Sequence, residues 1–192
     1  MGYEEIWQKI KSMSYQSRKM LAYEMTLKGF NVGFIHPHYY FDAKAVHNIL
    51  FYPPNSQHEI KDPPQHPLRF PRYRGTESLG RMEKSLKEYY NALKEIIEDD
   101  KEIHVRVKRH RWLPRFINKW KERKIVKTYI YSRINDDFVN AWYRILPGKS
   151  IAGERPRSLF ITLTDGSEVV YKMTECSYKD GYEHLTFTRT DN

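Results

Sequence analysis

The sequence predicts an α+β fold, with an N-terminal helical segment followed by a long central helix packed on a mostly antiparallel, curled sheet or small open barrel of about six strands. Three observations lead there. Over 79–97 the apolar residues Leu79, Met82, Leu86, Tyr89, Tyr90, Leu93, Ile96 and Ile97 recur at intervals of three and four, the spacing of one helix face. From Ile103 the period drops to two, as in a half-buried strand. Asp165-Gly166 and Asp180-Gly181 then separate β-rich runs in the manner of hairpin turns.

Taken in order, 3–12 reads as a short helix with Ile6, Trp7 and Ile10 at helical spacing. Ser14 or Ser17 caps a second helix that runs to Lys28 and is stopped by Gly29. A short strand at 30–35 and a third helix at 43–51, capped by Asp42, complete a segment spanning 1–52. From 53 to 75 the chain holds Pro53, Pro54, Pro63, Pro64, Pro67 and Pro71, a density that neither a helix nor a central strand tolerates. It reads as an extended connection to a main domain at 76–192. There the long helix, capped by Thr76 or Ser78, is followed by a strand at 103–107 and a short helix from Pro114 to about residue 121. Further strands are expected at 125–134, 138–146, 159–164, 168–173 and 183–189.

Composition narrows the class. Of the 192 residues 40% are hydrophobic and 30% charged, and the 15 Tyr, 9 Phe and 4 Trp make up for scarce aliphatics. No apolar run approaches the roughly 18 residues of a membrane span, and the first twenty residues lack the apolar core of a secretory signal. The single cysteine, Cys176, rules out an internal disulfide and any multi-cysteine metal site. A soluble intracellular protein, placed in the cytoplasm and not at a membrane, is the expectation.

The charge is localised. The formal net charge is +9, and the stretch from Lys101 to Lys127, with 11 basic residues against Glu102 and Glu122, carries all of it. Concentrating like charge costs self-repulsion, which points to an anionic partner. Along this stretch Arg106 and Lys108 alternate with the apolar positions of the expected strand, while Arg111, Arg115, Lys119 and Arg123 fall four apart on the expected helix. Trp112, Phe116 and Trp120 form a second row four apart, which reads as the buried side of an amphipathic helix. With both rows so placed, the strand and helix cations would join into one surface above buried tryptophans. Exposure of Trp112 or Trp120 would instead favour stacking with unpaired bases.

Other constellations carry less. His36 and His38, one residue apart on an expected strand, can share a divalent metal. The spacing resembles the His-hydrophobic-His strand of rolling-circle replication endonucleases, which act with a tyrosine nucleophile on a later helix. Tyr89, Tyr90 and Lys94 stand in that position here, although Pro37 occupies the middle site and no third ligand precedes it. Pro147-Gly148-Lys149-Ser150 ends like a phosphate loop, but Tyr143 stands where its first glycine belongs. Cys176 with His184 lacks a third, orienting group, and Glu122-Arg123-Lys124 is a pattern common in charged chains.

The expected function is non-catalytic nucleic-acid binding in a regulatory or accessory role, with DNA or RNA as partner and no cofactor, metal or catalytic residue assigned. The contacts fall to Arg106, Lys108, Arg109, Arg111, Arg115, Lys119, Arg123, Lys124 and Lys127. The first alternative is a protein-interaction module whose basic face docks an acidic partner protein. The second is a metal-dependent nicking endonuclease built on His36 and His38.

Overall fold

A computed structural model describes residues 2–29 and 90–191. The chain divides into two compact units, Met1–Glu98 and Asp99–Asn192. The first contains α1 (Tyr3–Ser12), α2 (Tyr15–Leu27) and a helical stretch at 90–98, α3. Ser14 caps α2 by accepting the Ser17 backbone N–H at 3.2 Å, and Gly29 follows the helix at a φ of +89°. Ile6 and Ile10 of α1 and Leu93, Ile96 and Ile97 of α3 form apolar stripes, whereas α2 is buried continuously from Met20 to Met25. Lys28 pairs with Glu95 at 2.8 Å. The expected elements at 30–35 and 43–51, the proline-rich connection and most of the helix at 79–97 lie outside the described residues.

The second unit is a curled, five-stranded, wholly antiparallel sheet forming a half-barrel, so the α+β class with a curled sheet is met. Its elements are β1 (Glu102–Lys108), α4 (Arg115–Arg133), β2 (Phe138–Ile145), β3 (Arg157–Leu163), β4 (Glu168–Lys179) and β5 (Tyr182–Asp191). The order across the sheet is β1-β5-β4-β3-β2. The last four strands form a meander, and β5 then pairs with β1, placing Ile103 opposite Phe187 and Val105 opposite Leu185. Because β1 and β2 are the two edges, α4 carries the chain from one edge to the other across a single face of the sheet. That face supplies Ile103, Val105, Val107, Leu159, Ile161, Tyr171, Met173, Leu185 and Phe187, and α4 meets them with Val126, Tyr129 and Ile130, all buried. In this unit the sheet-covering helix is α4.

One expected strand is absent. Residues 125–133 form the C-terminal half of α4 and Ile134 is its C-cap, instead of forming β structure. The run Ile125-Val126-Lys127-Thr128-Tyr129-Ile130-Tyr131 is rich in β-branched and aromatic residues, so its local preference favours a strand. Its burial follows the helical period, at Glu122, Val126, Tyr129, Ile130 and Arg133. Tertiary packing decides here against propensity.

The hairpins appear where the turn residues put them. Asp180 and Gly181 sit at φ values of +53° and +79° between β4 and β5, the left-handed pair that a two-residue turn matching strand twist requires. At the other hairpin Gly166 takes φ +87° while Asp165 Oδ1 accepts the Ser167 backbone N–H at 2.8 Å. A bulge between Met173 and Glu175 lets β4 run on to Lys179, beyond its expected end, and adds curl.

Candidate nucleic-acid interface

The phase of α4 is set by its C-terminal half. Counting back four and seven residues from Val126, the core-facing side meets Glu122 and Lys119, not the aromatic row, while Arg115 in the first turn is exposed. Trp112, Phe116 and Trp120 therefore lie outside the core, with 78%, 73% and 60% of their surface exposed. This overturns the expectation that they form the buried side of the helix. A helix stopped near residue 121 would have taken its phase from the aromatics, whereas the 19-residue helix takes it from Val126, Tyr129 and Ile130.

The turn before α4 holds Trp112 in place. Asn118 Nδ2 donates to the carbonyls of His110 at 3.0 Å and Leu113 at 3.2 Å, tying 110–113 to the first turn of the helix. His110 meets Trp112 edge-on, with ring centroids 5.6 Å apart, so the indole faces are not stacked on it. Lys124 Nζ lies 5.5 Å from the Trp120 ring centroid, and Lys127 Nζ lies 5.7 Å from that of Tyr131. Arg111, Arg115, Arg123 and Lys124 are exposed, and none of them joins an ion pair among the described residues. The face thus combines cations outside any ion pair with largely exposed rings, Lys124 lying over that of Trp120.

The nine cations expected at the site fall into three places. Arg111, Arg115, Arg123, Lys124 and Lys127 belong to α4 and the turn before it. Arg106 and Lys108 lie on the opposite face of the sheet, because their neighbours Val105 and Val107 point toward α4. There Arg106 stacks over the Tyr182 ring at 4.6 Å, in the same row as His184. The single surface expected to join strand and helix is therefore divided by the sheet. Arg109 and Lys119 are taken up by a third feature, outside the expected site.

That feature is an ionic network on the concave side of the sheet. Arg157 at the start of β3 donates to Glu183 on β5 at 3.0 Å and to Glu154 at 2.8 Å, and lies 3.1 Å from Glu122 on α4. Arg109 bridges Glu154 at 2.8 Å and Glu183 at 3.2 Å, and Lys119 reaches Glu154 at 2.9 Å. Tyr143 donates to Glu122 at 2.7 Å, and Tyr178 to Glu154 at 2.8 Å. An antiparallel bridge between Ile151 and Glu154 closes the turn that presents Glu154. Three cations thus meet three carboxylates.

Burial is the main cause of the shifts. It pushes the Glu122 carboxyl up, against the pull of Arg157, and raises the Tyr143 and Tyr178 hydroxyls, with the neighbouring carboxylates adding to it. Burial alone would raise Glu154 too, but the hydrogen bonds from Lys119, Tyr178 and Arg109 outweigh it and hold that carboxyl well below the usual range. Pairing of this kind ties α4, the 151–154 turn and the meander into one arrangement; its net contribution to stability is small relative to the cost of breaking it. The signal in the sequence was slight, since Glu122 stands out only as an acid within the basic stretch.

The remaining constellations separate. Cys176 pairs in register with Leu185, and Ser177 with His184, so Cys176 and His184 point to opposite faces. Cys176 is buried, and its Sγ lies 3.7 Å from Glu183 Oε1. His36, His38 and Tyr89 lie outside the described residues. No group of three potential metal ligands occurs among the described residues, and no helix among them is long and apolar enough to cross a membrane. No family model, curated protein or solved structure matches this chain.

Proposed function

We propose that this protein is a cytoplasmic, non-catalytic accessory or regulatory factor that binds nucleic acid through the exposed face of α4 and the turn before it. One observation supports the reading above all: Arg111, Arg115, Arg123 and Lys124 are exposed and outside any ion pair among the described residues, while the network takes up Arg109 and Lys119. Cations left in water along a helix meet successive phosphates and release their counterions. Fluorescence anisotropy with mixed-sequence DNA and RNA oligonucleotides tests it. Affinity falls steeply as salt rises, and reversing Arg115, Arg123 and Lys124 to Glu weakens binding to all sequences alike. Salt-independent binding, or no binding to either polymer, overturns the reading.

A second reading has its own support. Exposed Trp beside Arg brings together residue types that dominate protein-protein hot spots, so an acidic partner protein fits the same face. Co-purification before and after nuclease digestion separates the two readings. Partners that survive digestion favour the protein module, and partners lost with the nucleic acid favour the first.

A further inference from the structure

We infer that the α4 face selects single-stranded over duplex nucleic acid, by stacking unpaired bases on Trp112, Phe116 and Trp120. The inference rests on the nucleic-acid reading above and gives it a substrate class. Phosphate contacts alone do not account for the aromatics. Leaving three large rings 78%, 73% and 60% exposed forgoes the burial that normally stabilises such residues, and here they stand together on one helix and its leading turn. The core offers them no alternative position, because the α4 phase is fixed by Val126, Tyr129 and Ile130, all fully buried.

The chemistry of the surroundings names the occupant. A purely apolar partner would leave Arg111, Arg115, Arg123 and Lys124 facing it without counter-charge, at a desolvation cost. A duplex satisfies those cations but keeps its base faces stacked inside the helix, out of reach of Trp112, Phe116 and Trp120. An unpaired strand presents both phosphates and π-faces, and the stacking is tolerant of sequence because every base has a face. Phe116 and Trp120 are separated by about 6 Å along the helix axis, four residues at about 1.5 Å each, and fall on one side of it. Lys124 lies over one face of Trp120, 5.5 Å from its centroid, and so sets a phosphate-seeking ammonium next to the face left for a base.

The test compares a 20-nucleotide single strand with the duplex of the same sequence, as DNA and as RNA, and with heparin as a polyanion without bases. Anisotropy gives affinity, and tryptophan emission gives stacking. The expected result is tighter binding of single strands than of duplex at equal salt, with quenching by single strands only. Trp112→Ala and Trp120→Ala each weaken single-strand binding by about five- to 150-fold and leave duplex and heparin binding unchanged. Because both side chains are exposed, far-ultraviolet dichroism of the variants stays that of the parent. Equal affinity for duplex and single strand, or binding without quenching, overturns the stacking inference and leaves the nucleic-acid reading standing. Retention by heparin with no binding to any oligonucleotide overturns both.

Discussion

Arg157 on β3 donates to Glu183 on β5 at 3.0 Å, although β4 runs between the two strands. The guanidinium reaches over the concave surface of the sheet, and Met173 of the intervening strand lies beneath it with its sulfur 3.9 Å from Nη1. Both Arg157 and Glu183 are 1% exposed, so the pair is withdrawn from water as completely as the apolar core. Replacing Arg157 by Met leaves Glu122, Glu154 and Glu183 facing one another without their shared cation. The expected loss is about 3–5 kcal/mol, the cost of breaking a buried ion pair by removing one partner. Urea unfolding measures it, and a loss below about 1 kcal/mol would show that the network does not hold the half-barrel together.

The acid limb of stability follows from Glu154. Its carboxyl is held below its unfolded value by Lys119, Tyr178 and Arg109 against the opposing effect of burial, so the folded state binds its proton more weakly than the unfolded state. The resulting stability is complete above the unfolded carboxylate range, about pH 4.3, and is lost as pH falls below it. Glu122, raised by burial, acts in the opposite sense, because its protonation favours the folded state. Glu154→Gln is therefore expected to cost stability at pH 7 and progressively less toward pH 3. Urea titrations of both proteins across that range test the sign, and a cost that grows on acidification contradicts it.

Lys119 and Arg123 lie one helical turn apart yet answer to different demands. Lys119 reaches Glu154 at 2.9 Å and Glu122 at 3.5 Å, whereas Arg123 is exposed. Lys119→Ala is expected to lower the melting temperature and leave the salt dependence of oligonucleotide binding unchanged. Arg123→Ala should change stability by less than about 0.5 kcal/mol and reduce the log-log salt slope by about one. The reverse pattern would place the phosphate contacts elsewhere.

The β4–β5 turn gives a test confined to the fold. Gly181 has a φ of +79°, which an L side chain adopts only with strain. Gly181→Ala is expected to cost about 1–2 kcal/mol in thermal unfolding and to leave nucleic-acid binding as it was.

Much of the second unit was legible in the sequence because its signals were local. The alternation at Ile103, Val105 and Val107 gave β1, and Asp165-Gly166 and Asp180-Gly181 gave the hairpins around β4. Residues 125–134 resemble a strand because β-branched composition is local, while the contacts that keep them helical come from the sheet. The same resemblance inverts the aromatic row. Once α4 is known to run to Arg133, its buried positions fix the exposed side, and Trp120 falls on it. The ionic network was illegible for a different reason. Arg109, Glu122, Glu154, Arg157 and Glu183 are scattered over more than seventy residues, and no spacing rule brings them together before the meander is folded.

The most direct test of the central claim is ultraviolet cross-linking of the full chain to a labelled single-stranded oligonucleotide, with the modified residues located by mass spectrometry. Aromatic side chains stacked on bases are the ones placed to react. Adducts are expected at Trp112, Phe116 and Trp120, abolished when Arg115, Arg123 and Lys124 are reversed to Glu. Adducts confined to Tyr182 and His184, on the outer face of the sheet beside Arg106, would contradict that claim and move the binding surface away from α4.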